Sequence, residues 1–358
     1  METTRRSFLT GLIAASACPT PSWADVGSPA FLSAARRRDG AFALFGLAAD
    51  GAHLFEIPLP ARGHAAAAHP YQPIAVAFAR RPGTFAVVID CSTGHEIKRL
   101  RAPAGRHFYG HGVFSGDGAL LFTTENDFEN AVGRIGVWDV ARGYQRVAEF
   151  SSGGVGPHDI KRMPDGQSLV IANGGIETHP DSGRTKLNIP TMRPNLSYVS
   201  LEGMVLDQVE HGAARRLASI RHLAVRGDGQ VAVGCQWQGS LADEPLVYTH
   251  NRGADLTAVP LPQQSVDFRG YIGSIAYAAD GQMIAATSPR GNVVLLHDLR
   301  TAVSSVVSQA DVSGVAAAQD GLVLTTGEGL LLKGTGAGLS TLAAADVQWD
   351  NHLVALNT

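Results

Sequence analysis

The chain has 358 residues, 45% hydrophobic and 17% charged, with 41 glycines and a net charge of −3. The length permits a large core and one to three domains, and the near-neutral charge gives no electrostatic basis for binding nucleic acid. Abundant Gly with few charged residues suits many short strands and tight turns better than long surface helices, whose wet faces need Glu and Lys.

The first element is an address. Thr4-Arg5-Arg6-Ser7-Phe8-Leu9 is a twin-arginine pattern, and a short apolar stretch follows from Gly11 to Ala17. Ser22-Trp23-Ala24 then places small residues at the two positions a signal peptidase reads. Residues 1–24 are therefore expected to be a signal peptide cut after Ala24, delivering a periplasmic chain. The apolar stretch is too short to span a bilayer, so no transmembrane span is expected in the mature chain. A competing address is Ala15-Ser16-Ala17-Cys18, a loose lipoprotein box that would leave a lipid on Cys18. Cys91 and Cys235 lie in well-separated repeats and are expected to be buried free thiols.

Six segments then share one plan: an apolar strand, a turn, a second apolar strand, a loop and a third strand. The first strands with their turns are QPIAVAFARRPG (72–83), YGHGVFSGDG (109–118), GPHDIKRMPDG (156–166), SIRHLAVRGDG (219–229), YIGSIAYAADG (271–281) and DVSGVAAAQDG (311–321). Asp-Gly between apolar strands is a hairpin signal, because Gly accepts positive φ and Asp caps the turn. Turn-to-turn spacings of 48, 63, 52 and 40 residues from Asp117 to Asp320 match propeller blades of four strands. Residues 205–220 form the one modest helix candidate, so stacked βαβ units are disfavoured. The pieces 41–60 and 346–357 are each too short for a blade, and joined they make a seventh. The expected fold is all-β: a single seven-bladed propeller of the WD40/YVTN-like type over residues 25–358, closed by strands from both termini. Residues 174–195 interrupt the third repeat as a Pro-stiffened insertion, expected to be a flap over the channel mouth.

In a propeller the first strand of each blade lines the channel. His111, His158 and His222 recur six or seven residues ahead of Asp117-Gly118, Asp165-Gly166 and Asp228-Gly229, so the ring is expected to gather them around one axis. Three imidazoles suit a divalent transition metal such as zinc, iron, copper or nickel. Their alternative role is to brace the channel by hydrogen bonds between blades. Strand ends at the same mouth carry Glu125, Asn126, Asn173, Gln236 and Ser288, and the insertion adds His179. A polar mouth on an apolar scaffold is the default place to seek a ligand. Arg193, Arg221, Arg269 and Arg290 form a candidate anion-binding rim, since a guanidinium matches carboxylate or phosphate. Gly-x-Ser-x-Gly, Walker, His-Glu-x-x-His and haem-attachment motifs do not occur in the sequence.

The chain resembles a bacterial family of exported seven-bladed propellers known as domain of unknown function 1513. The resemblance rests on YGHGVFSGDGALLFTTENDFE (109–129), residues 153–199, SIRHLAV, GCQWQG, RGYIGS and TSPRGN. Members are often encoded beside imelysin-type periplasmic proteins, which implies a role in iron or metal uptake and a periplasmic partner of that kind. It implies no reaction and no catalytic residue. The leading expectation is a non-catalytic binding propeller for a metal ion or small ligand, with Glu125 and Gln236 completing the histidine site. The alternatives are a lactonase-like hydrolase with metal held by Glu125, Asn173 and the histidines, and a protein-docking platform.

Overall fold

A computed structural model describes residues 20–79, 83–183, 185–240, 244–262 and 266–356; the twin-arginine pattern, the apolar stretch and Cys18 lie outside the described residues. The described residues form strands β1 to β28 in seven four-stranded antiparallel sheets. The innermost strands are β28 (Val347–Ala355), β4 (Gly63–Ala68), β8 (Arg106–Phe114), β12 (Pro157–Arg162), β16 (Ala218–Val225), β20 (Ser274–Tyr277) and β24 (Val312–Ala318), which define blades 1 to 7. Each packs on the next, and β24 returns to β28, so the ring closes. Blade 1 joins the termini: β28 pairs antiparallel with β1 (Phe31–Arg37), with Phe31 opposite Ala355 and Arg37 opposite Val347. The next strands outward are β2 (Phe42–Leu47) and β3 (His53–Leu59). This closure leaves neither terminal strand as a free inner edge.

The hairpins form for the reason their sequence suggests. In the turns after β8, β12, β16 and β20 the Asp side chain accepts the backbone N–H two residues on, as from Ala119 to Asp117 at 3.0 Å and from Gln282 to Asp280 at 2.9 Å. The following glycine carries the positive φ, +75° at Gly118 and +68° at Gly281. Strand residues alternate between the two faces of a sheet, and the apolar faces of neighbouring blades pack together. One such core joins Val170, Leu196 and Tyr198 of blade 4 to Leu223, Val233 and Tyr248 of blade 5. Each fully buried side chain of this size contributes roughly 1.5–3 kcal/mol. Cys91 and Cys235 are buried and unbridged.

Two expectations need correction, and one further observation concerns the expected cut. The first repeat is out of phase: the inner strand of blade 2 is β4, and residues 74–79 are its second strand. Residues 205–220 hold no α-helix; they form β15 (Val205–Glu210), a 3₁₀ turn at Ala213–Arg215 and the start of β16. Trp23 and Ala24, on the leader side of the expected cut, belong to the folded body. They sit in a 3₁₀ turn, Trp23–Val26, whose Trp23 is 5% exposed and donates from Nε1 to the His69 carbonyl at 2.8 Å. The insertion at 174–195 contains 3₁₀ turns at Pro180–Ser182 and Ile189–Thr191 and is pinned by Asn188, which accepts from Glu177 N and donates to the Gly175 carbonyl. No helix among the described residues is long and apolar enough to cross a membrane.

Candidate metal centre

Inner strands of five consecutive blades each bring one imidazole to the axis: His352 from β28, His64 from β4, His111 from β8, His158 from β12 and His222 from β16. Each lies where strand pairing slips, between Gly63 and Ala66, Phe108 and Gly112, Pro157 and Asp159, Ile220 and His222, and beside Leu353. A bulge bends the strand and re-aims its side chains, here toward the channel. Gly110, at φ +98°, leaves the space that His64 fills; a Cβ there would meet the imidazole at 2.5 Å. At the matching places in blades 6 and 7 stand Ser274 and Ser313, which join the two blades: Val315 N donates to Ser274 Oγ, and Thr287 Oγ1 donates to the Ser313 carbonyl.

The rings are mutually close. Centroids lie 4.7 Å apart for His64–His352 and for His111–His352, 4.8 Å for His158–His222, 5.0 Å for His64–His111 and 5.1 Å for His111–His158. Two overlapping triads, His64/His111/His158 and His111/His222/His352, each place three ligand nitrogens within 4.8 Å of one another. Ligands bound at about 2 Å from one ion stand about 3–4 Å apart, so small rotations of these rings suffice.

Hydrogen bonds fix which nitrogen faces the axis. His111 Nδ1 lies 3.1 Å from Asp159 Oδ1, and His158 Nδ1 lies 3.1 Å from the Arg221 carbonyl. An acceptor at Nδ1 holds the proton there and leaves Nε2 with its lone pair, the arrangement that orients metal-binding histidines. His111 Nε2, both nitrogens of His222 and His352 Nε2 are buried with no hydrogen-bond partner among the described residues. Buried polar atoms are nearly always paired, and leaving one unpaired costs about 1–3 kcal/mol. Burial lowers the His222 pKa to about 3, against the pull of Asp159, and burial followed by neighbouring charges holds His158 and His352 well below their ordinary value. His158, His222 and His352 are therefore neutral at physiological pH, the form that binds a cation. Asp159 stitches three blades together by accepting from His111, from Leu223 N at 3.0 Å and from Ile160 N at 2.8 Å. Burial would raise its pKa; Lys161 and His111 outweigh that and lower it.

The sequence matches the model of the family described as "Protein of unknown function (DUF1513)" over residues 57–356. The chain belongs to the DUF1513 family. No curated protein matches it. Among solved structures, the DUF1513 chain is similar to Kuenenia stuttgartiensis hydrazine synthase, with 14% identity and a TM-score of 0.58 over 85% of this chain and 89% of that one. A chain of the mitotic checkpoint complex shares 10% identity at a TM-score of 0.57, covering 80% and 81%. At such identities the likeness shows the propeller fold alone.

In this DUF1513 propeller the expected three histidines stand together, and His64 and His352 join them. Those two escaped the repeat search because neither precedes an Asp-Gly turn. The turn after His64 runs through His69-Pro70-Tyr71-Gln72, and His352 lies on the last strand. A search for His at the start of short apolar strands, as in Gly63-His64-Ala65-Ala66, would have found His64; His352 is the sixth residue of its strand and carries no such signal.

The other expected site residues are placed elsewhere. Glu125 is fully buried in an ion pair with Arg146 (2.6 and 3.0 Å) and also accepts from Thr123. Asn173 is held by Ser152, Asn195 and Ser197, and Asn126 donates to the Thr178 carbonyl beneath the insertion. The hydrolase alternative required Glu125 and Asn173 at the metal, and both are committed to these networks. His179 caps a 3₁₀ turn by accepting from Asp181 N, and Ser288 donates to the Phe268 carbonyl. Gln236 pairs through its backbone with Tyr271. Of the arginines, Arg193 pairs with Glu210 at 2.9 Å and Arg269 with Asp267 at 3.8 Å. Arg290 stacks 4.5 Å over the Tyr271 ring, and Arg221 Nε donates to Ser219 Oγ at 3.0 Å. Arg221 and Arg290 stand close enough to Lys186 of the insertion that, after burial, their charges lower its pKa. The candidate rim is thus Lys186, Arg221 and Arg290, without Arg193 and Arg269.

The channel cavity also differs from expectation. It holds about 800 Å³ and ends at His111, Asp159, His222 and His352, but it opens past Gly116, Gly227 and Gly281, on the Asp-Gly turn face. The mouth expected on the opposite loop face is not the wide end of this channel.

Proposed function

We propose that this propeller binds a divalent transition metal ion in its channel through His111, His158 and His222, with His64 and His352 completing the donor set. The observation that carries this reading is the gathering of five imidazoles, in which buried nitrogens of His111, His222 and His352 have no hydrogen-bond partner among the described residues, while acceptors at Nδ1 of His111 and His158 leave Nε2 free to bind. Imidazole donors favour copper, zinc, nickel and iron over magnesium and calcium, and raw affinity follows the order that peaks at copper. We further propose that the chain works as a periplasmic binding protein, exported by the twin-arginine route, accessory to iron or metal uptake beside imelysin-like partners. The leader pattern and the family resemblance support that part; the channel and its histidine donors support binding.

The test is elemental analysis of untagged protein, since an affinity tag of histidines would itself carry metal. Protein recovered from the periplasm should hold about one transition metal ion per chain, and His158→Ala with His222→Ala should lose it while keeping the wild-type circular dichroism. Wild-type protein that takes up none of iron, copper, zinc or nickel after equilibration and desalting refutes the metal reading. The histidines are then braces on a water-filled axis.

A further inference from the structure

Below the histidine ring the channel wall changes character. On an extended strand residues i and i+2 share a face, and two positions on from the histidines and their serine counterparts the cavity is lined by Ala66, Val113, Ala224, Ala276, Val315 and Val354. Blade 4 breaks the pattern. Its bulge at His158 puts Lys161 in this layer, where its ammonium lies 3.3 Å from Asp159 Oδ1, the oxygen that also accepts from His111. The Lys161 charge is felt at His222 and His352. A lysine ammonium has three donors, and Asp159 occupies one. Small side chains in the other six blades leave the funnel wide, and the side chain remains 43% exposed to it.

A cation set beside a metal and next to a layer of small apolar side chains, in a cavity that Arg162 and Arg226 also line, suits one class of ligand: an anionic head with an apolar body. We propose that the funnel is a monocarboxylate site, in which one carboxylate oxygen enters an open position on the histidine-bound ion, the other accepts from Lys161, and the aliphatic body lies against the alanine and valine wall. This rests on the metal reading above and names the ligand of that same site. It also assigns the route: ligand enters from the Asp-Gly turn face, since the cavity ends at the histidines.

The experiment loads the full-length mature protein with copper(II) and titrates formate, butyrate and octanoate, following the ligand-field band while metal per chain is measured in parallel. Each carboxylate should shift the band saturably. Affinity should rise about two- to fourfold per methylene while the chain fills the funnel. Lys161→Met should retain the copper and weaken all three ligands about tenfold or more; Asp159 keeps His111, Leu223 N and Ile160 N as partners, so the fold is spared. Ala224→Phe narrows the funnel and should weaken octanoate far more than formate. A copper-loaded protein whose band ignores the carboxylates, equal affinities in the Lys161→Met variant, or no gain from formate to octanoate overturns the proposal while leaving metal binding intact. Absence of copper uptake removes the metal reading itself, and this co-ligand site with it.

Discussion

Asp159→Asn tests whether the hub between blades 3, 4 and 5 tunes a metal ligand or merely braces the ring. Both carboxylate oxygens accept: Oδ1 from His111 at 3.1 Å, Lys161 at 3.3 Å and Ile160 N at 2.8 Å, and Oδ2 from Leu223 N at 3.0 Å. An amide has only one acceptor oxygen, so in either orientation its NH₂ faces a buried donor. One unsatisfied buried donor costs about 1–3 kcal/mol, and loss of a charged acceptor adds of order 1 kcal/mol. The expected destabilisation is about 2–4 kcal/mol. With an unfolding entropy near 2.1 cal/mol/K per residue, a chain of this length loses roughly 1.3 °C of Tm per kcal/mol, hence about 3–5 °C. The weaker acceptor also lowers the basicity of His111 and loosens its orientation, which should reduce metal affinity about 10–100-fold. Differential scanning fluorimetry measures the first effect, and competition against a chromophoric chelator the second. A fall in Tm with unchanged metal affinity refutes the reasoning, because it makes Asp159 a brace between blades and nothing more.

Two further outcomes follow from the same geometry. In the metal-free protein His222 titrates near 3 when folded and near 6.5 when unfolded, so its contribution is complete above pH 6.5 and is lost as pH falls toward 3. Between pH 7 and 5 that loss is about 2 kcal/mol from His222 alone; His158 and His352 act in the same direction, while Asp159, lowered from 3.8, contributes nothing in that window. Urea unfolding at the two pH values should show this drop, and a flat profile would show that the rings are not sealed from protons. Chains beginning at Thr20 and at Asp25 should differ by about 3–5 kcal/mol, the usual cost of deleting a buried Trp side chain, because only the first keeps Trp23 against Leu32, Leu44 and Ile89. Equal melting temperatures would show that the turn at Trp23–Val26 adds nothing, and would leave a cut after Ala24 without structural cost.

The sequence alone determined the fold because its signals are local. Asp-Gly turns, alternating apolar strands and repeat spacing act within a few residues, and together they specify blades; two incomplete end pieces specify the closure of the ring. It also marked His111, His158 and His222, since each stands at a fixed distance from its own turn. Tertiary structure decided everything that depends on neighbours across blades. His64 and His352 reach the axis on strands without that turn, and the bulges that aim all five rings are invisible in a single strand's pattern. Glu125 is as polar as a ligand should be, but only the packed sheet reveals Arg146 lying on it. Asp159 and Lys161 look like ordinary strand residues until the ring places one against His111 and the other in the channel cavity. A repeat states how each blade is built; which side chains meet at the centre depends on how far seven of them turn and slip against one another.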